Sequence, residues 1–268
     1  MTIAEIRGKI SEAGTNISER MEDLLTSDIF GCLRYVPAEK VLMPFLHTAC
    51  SFHGKDFTVP GKIIRVHYRF WPWLKSSGRV PCEPDVVIGL ETDNHQIHLV
   101  MIEAKYYSGL SSEEDERPEP NNQLARELDN LDVASCATFG WQISLGVVSR
   151  TLLFVTQDMG IPRELLRQSL AEYSHKRKKD SDIFWTSWRL LPLILEQSLQ
   201  KETNSEYKAV MEDMMRLLLR KGLVMFHGVE PVTEHFAPPQ FYNFAARKYS
   251  WSDFLEPLDI DYTFEVVR

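Results

Sequence analysis

Cysteine is scarce in this chain: four residues in 268, at positions 32, 50, 82 and 136, with no two closer than 18 positions. That spacing excludes a local zinc knuckle or CxxC redox pair, and so thin a supply argues against a disulfide framework. Long apolar runs are lacking as well. None exceeds six residues, and the run from Leu190 to Leu195 has a proline inside it, whereas spanning a bilayer takes roughly 20. The first ten residues carry Glu5, Arg7 and Lys9 where a signal peptide would need its apolar centre. A soluble, cytoplasmic protein without a membrane partner is therefore expected. An excess of basic charge is missing too, with 38 acidic residues against 30 basic and a net charge of −8. High-affinity binding to duplex DNA leaves a basic footprint, because phosphate neutralisation supplies most of the affinity. If nucleic acid is a partner, the cations must be concentrated locally or supplied by another subunit. No Gly-x-x-x-x-Gly-Lys-Ser/Thr phosphate loop occurs, so any unwinding or translocation would have to come from a separate chain.

What is present is ordinary globular composition, 44% hydrophobic and 25% charged. The length suits one large domain, or a medium domain with an appendage. Residues 3–53 read as helical in two or three pieces. Met21, Leu24, Leu25, Ile29 and Leu33 follow Ser18, the expected N-cap, at helical spacing, and Pro37 stops the run. A second helix is expected over 38–51, kinked at Pro44. The period then changes to two: Ile64, Val66, Tyr68 and Phe70 alternate with Arg65, His67 and Arg69, which predicts a strand over 62–70 with one apolar face. Residues 85–90 and 98–107 read as two further strands, more apolar and so more deeply buried, joined by a turn at Asp93, Asn94 and His95. The segment 111–122 is acidic and of low complexity, and is expected to be an exposed loop. A helix over 122–136, a buried strand over 152–156, a helix opened by Pro162, a strand near 183–186 and helices around 189–200 and 205–221 complete the pattern.

Two short segments carry the chemistry. Glu83, Pro84 and Asp85 enter one of the buried strands, and Glu103, Ala104 and Lys105 close the next, Glu103 lying 18 positions after Asp85. Side chains alternate along a strand, so Glu103 and Lys105 leave the same face as Leu99 and Met101, one pleat apart. Charges at the end of an apolar strand are costly unless they are paired or bound to a metal. If the two strands are neighbours, Asp85 can meet Glu103, and the two can hold a hard divalent cation through oxygen ligands. Lys105 would add positive charge beside an attacking water and a phosphate.

This pattern resembles the PD-(D/E)xK nuclease superfamily. The resemblance spans residues 17–157 and implies a restriction-endonuclease-like αβββαβ core with a mixed central sheet. It places a nuclease core in residues 1–160 and a mainly helical C-terminal extension in residues 161–268. In that superfamily an acidic residue on the helix before the first core strand joins the metal site. Glu22 and Asp28 are the candidates here; six positions apart, they lie about 120° around the helix and cannot both face it, and Glu22 is preferred. Gln123, on the helix after the Glu103 strand, resembles the glutamine that positions the water or the lysine in several branches. The sequence continues to Glu127 and so lacks the Gln-x-x-x-Tyr of the RecB-like branch.

The activity implied is Mg²⁺-dependent hydrolysis of DNA, with Mn²⁺ as a substitute, leaving 5′-phosphate and 3′-hydroxyl ends. Asp85, Glu103 and Glu22 would be the metal ligands, with Lys105 and Gln123 completing the catalytic set. Arg65 and Arg69, and the basic run Lys176, Arg177, Lys178 and Lys179, are candidates for contacts to DNA phosphates. Trp185, Trp188, Tyr242, Tyr249 and Trp251 could stack on bases. The acidity and the missing motor imply a protein partner such as an ATPase or helicase subunit, in a regulated bacterial defence or repair system, and a homodimer would suit double-strand cutting. The acidic loop 111–120 is expected to lie over the DNA channel until a partner moves it. An idle nuclease fold acting as a binding or scaffold subunit, or an RNA nuclease, are the alternatives.

Overall fold

The chain is described here by a computed structural model over residues 17–106, 120–177 and 182–224, without side chains at 17–20 and 175–177. The expected acidic loop over the DNA channel, the end of the basic run at Lys178 and Lys179, and the aromatic residues Tyr242, Tyr249 and Trp251 all lie outside the described residues. Helix α1 (Ile17–Leu33) buries Glu22, Leu25, Thr26, Ile29, Phe30 and Leu33. These positions recur every three or four residues and form one stripe facing the sheet.

The second expected helix is much shorter than its apolar pattern predicted: α2 covers only Leu42–His47. Pro44 stands in its first turn, where no backbone N–H is needed, so it starts the helix instead of kinking it. The residues beyond are taken by the sheet. Strand β1 (Cys50–Ser51) pairs antiparallel with Trp185 and Phe184 of β6 (Ile183–Ser187). Between these two strands in sequence come β2 (Ile63–Phe70), β3 (Val86–Thr92), β4 (Ile97–Ala104), α3 (Gln123–Leu131), β5 (Val147–Thr156) and α4 (Arg163–Arg177). After β6 follow α5 (Leu191–Leu199) and α6 (Ser205–Arg220).

The six strands form one mixed sheet in the order β1-β6-β5-β4-β3-β2. β2, β3 and β4 are an antiparallel meander, while β4, β5 and β6 run parallel. Parallel neighbours need a crossover, and α3 and α4 supply the two that are required. All eight residues of β4 are buried, because both faces are covered. On one face Val86, Ile88, Val100, Ile102 and Val155 pack with Leu25, Ile29, Leu42, Leu195 and Met214 from the helices. On the other, Val87, Leu99, Met101 and Phe154 pack with Leu124, Leu128, Leu166 and Leu170 of α3 and α4. The described elements after residue 160 are thus built into the same sheet and cores as those before it, and the described residues belong to one compact unit ending at Met225.

Three expectations are corrected in detail. The apolar face of β2 does not begin at Ile64, because a register shift between Ile63 and Arg65 turns Ile64 outward; a bulge displaces one residue from the alternation. Helix α3 stops at Leu131, five residues short, and a separate 3₁₀ turn follows at Cys136–Phe139. Trp185 and Trp188 are buried and cannot stack on bases; Trp188 lies 5.8 Å from the Phe30 ring and 6.1 Å from that of Phe45.

Gly89, in the middle of β3, leaves no room for a Cβ unless the Trp141 ring shifts. A Cβ there would stand 2.7 Å from Cζ3 of Trp141, whose indole lies across the sheet. Gly89→Ala is expected to destabilise the protein by about 1–3 kcal/mol through this overpacking, measured as a lower urea midpoint with an unchanged slope.

A candidate active site where strands β3 and β4 meet

Val86 pairs with Ile102 in antiparallel register, so Asp85, just before β3, and Glu103, near the end of β4, come together at one end of the sheet. Residues opposite one another in such a ladder share a face. Each carboxylate is then held by neighbours. Asp85 Oδ2 accepts the Ala104 N–H at 2.9 Å, and Oδ1 accepts from Trp71 Nε1 at 3.2 Å. Lys105 Nζ stands 2.8 Å from Glu103 Oε1 and 3.0 Å from Glu22 Oε1. Glu22 reaches over from α1 and fixes the chain beyond β4 as well, its Oε2 accepting the Tyr106 N–H at 3.0 Å. Gln123 Nε2 donates to Glu103 Oε1 at 2.5 Å. Its position is set by Asn122, which caps α3 by accepting from the Ala125 N–H.

The five residues expected to form the site, Glu22, Asp85, Glu103, Lys105 and Gln123, are therefore assembled in one cluster from distant parts of the sequence. Between the two helical candidates, it is Glu22 that contacts Lys105. The basic residues of β2 are not in the cluster: Arg65 is exposed, Arg69 is half-buried and His67 pairs with Glu91 at 3.1 Å. Lys176 and Arg177 end α4, and their side chains are not described.

Two members were not anticipated. Glu127 is fully buried and interacts with Glu103. Its position four residues after Gln123, on the same face of a helix, was the available signal. Trp71 had none, since its indole reaches Asp85 from a backbone turned to φ 43° just beyond β2.

Four carboxyl groups thus surround a single ammonium in a space mostly closed to water. Burial, reinforced by the Glu103 carboxylate, pushes Asp85 well above its ordinary range against the pull of Lys105. Burial and the neighbouring Glu127 do the same to Glu103. Glu127 itself is pushed up to about 7, mainly by burial. Burial alone would lower Lys105, but Glu103, Asp85 and Glu22 outweigh it and hold the ammonium above its usual value. Lys105 is accordingly a fixed positive charge and not a proton acceptor.

The donor set suits a hard divalent cation, being made of carboxylate oxygens. Glu103 Oε2 is buried without an N–H donor, and its carboxyl lies beside the buried carboxyl of Glu127, so the surplus of acid over base calls for protons or a cation to balance it. No three or more His, Cys, Asp or Glu side chains among the described residues already stand as a ligand cage; the Lys105 ammonium sits between Glu22 and Glu103 instead. No known protein family, no curated protein and no solved structure matches the chain. No described helix is long and apolar enough to cross a membrane.

Proposed function

We propose that this protein is a Mg²⁺-dependent DNA nuclease built on a restriction-endonuclease-like core. The observation that carries the reading is the convergence of Glu22, Asp85, Lys105 and Gln123 around Glu103, whose Oε2 is buried without an N–H donor. Asp85, Glu103 and Glu22 would hold the cation, which when bound supplies Lewis acidity beside the phosphate at neutral pH. Lys105 contributes a permanent positive charge where negative charge builds up on the phosphoryl oxygens. Gln123 keeps Glu103 in one orientation, and Trp71 and the Ala104 N–H do the same for Asp85. A module that bound nucleic acid without a cation would gain nothing from four clustered carboxyls, which repel phosphate in a poorly screened site. The net charge of −8 supports work alongside a more basic or motor-bearing subunit, such as an ATPase or helicase, or as a homodimer.

The test is cleavage of supercoiled plasmid and of single-stranded DNA with Mg²⁺ or Mn²⁺, comparing wild type with Glu103→Ala and Lys105→Ala. Metal-dependent cutting that falls by roughly 10²–10³-fold or more in both variants is the expected result. Equal cutting by all three proteins would expose a contaminant. DNA binding with no cutting under any condition would leave an idle fold acting as a scaffold.

A further inference from the structure

The segment between β2 and β3 leaves the sheet and returns to it at Asp85. The Trp71 N–H donates to the Asp85 carbonyl at 2.9 Å, alongside the contact from its indole. Between these ends the loop is pinned. Leu74 and Cys82 exchange two backbone hydrogen bonds of 2.8 and 3.1 Å, Asn130 Nδ2 of α3 donates to the Val80 carbonyl at 2.8 Å, and Arg79 is ion-paired with Asp129 of the same helix. Trp71, Pro72 and Leu74 are buried, yet Trp73 among them is 63% exposed. The chain is extended through the bridge at Leu74, so Trp73 and Lys75 share the outward side, opposite the buried leucine. Lys75 is exposed. Of the other described tryptophans, Trp71, Trp185 and Trp188 are buried and Trp141 partly so.

A large flat ring held in water on a rigid loop forgoes the burial that its neighbours achieve, and it stands two residues from the one that grips Asp85. Resting on the nuclease reading, we propose that Trp73 is a stacking platform for an unpaired base of the bound strand, with Lys75 meeting the strand's backbone, so that the substrate is single-stranded DNA. Every base presents a face on which an indole can stack, and stacking needs no basic stripe. An intact duplex hides those faces and is held by phosphate contacts, for which an acidic chain is poorly equipped.

The experiment measures binding of a fluorescent 20-residue oligothymidylate and of a duplex of equal length by anisotropy, in Ca²⁺ to slow cleavage, alongside the Mg²⁺ cleavage assay. Trp73→Ala is expected to weaken binding of the single strand by roughly 5- to 150-fold, the value of one stacked base, and to affect the duplex far less. Trp73→Phe should restore most of the affinity, and the quenching of tryptophan fluorescence by oligothymidylate should be lost in Trp73→Phe. Unchanged single-strand affinity in Trp73→Ala, in an enzyme that still cuts with Mg²⁺, would overturn the platform alone. An equal loss on both DNAs would overturn it as well. A wild-type protein that neither binds nor cuts either DNA would overturn the nuclease reading beneath it.

Discussion

Lys105→Met is expected to cost on the order of 3–5 kcal/mol of stability at pH 8, the usual loss when one partner of a buried ion pair is removed. Much of it should return at pH 5. The Lys105 ammonium lies within 3.0 Å of oxygens on both Glu103 and Glu22, and it also offsets the charge on Asp85. Without it the cluster can be neutralised only by protons or by a cation. Burial raises both Asp85 and Glu103 well above the ordinary carboxyl values of 3.8 and 4.5. The folded state therefore binds more protons than the unfolded chain, and stability declines as pH rises. Removing Lys105 steepens that decline, since its charge opposed it. Urea unfolding at pH 5 and pH 8 in the presence of a chelator measures the effect. An equal loss at both values would mean that the lysine contributes packing alone. Under the nuclease reading, millimolar Mg²⁺ should raise the urea midpoint of the wild type at pH 8, because a cation that binds only the folded state stabilises it by mass action.

Glu127→Gln should flatten the pH dependence of stability in the wild type. Glu127 is pushed from 4.5 up to about 7 in the fold, so its contribution is fully present below about 4.5 and is lost as pH rises through about 7. A shift of that size corresponds to roughly 3 kcal/mol. The glutamine keeps the shape and can still donate to Glu103, but it has no proton to lose. Wild type is expected to lose about 2–3 kcal/mol more than the variant between pH 5 and pH 8, read from paired urea titrations in chelator. Parallel curves for the two proteins would show that Glu127 does not change protonation in this range.

The strands were legible because a half-buried or fully buried strand writes its environment into a period of two or into a short apolar run. β3, β4 and β6 fall where Asp85–Leu90, His98–Tyr107 and Ile183–Thr186 had placed them, within a few residues. The same reasoning misplaced the end of α2, since Cys50 and Ser51 are claimed by pairing with β6, more than 130 positions away, and no local pattern announces such a partner. Ile64 failed for a related reason: a bulge belongs to the register between two strands, not to the sequence of either. The grouping of Asp85, Glu103 and Lys105 was readable because two neighbouring strand ends carry charges where apolar residues prevail. Gln123 entered through a resemblance, and Glu127 was passed over although it lies on the same helical face.

By itself the sequence determined the α/β class, the position of the charged strand ends and the acidity that argues against unaided duplex binding. Each of these is written in residues near one another in the chain or in their sum. Only the tertiary structure decided that Glu22 and not Asp28 meets Lys105, that Glu127 and Trp71 join the cluster, and that Trp73 stays in water while Trp185 and Trp188 are buried. Those outcomes depend on which face of a helix or loop meets the sheet. That is settled by packing over the whole core, where residues some 80 positions apart become neighbours.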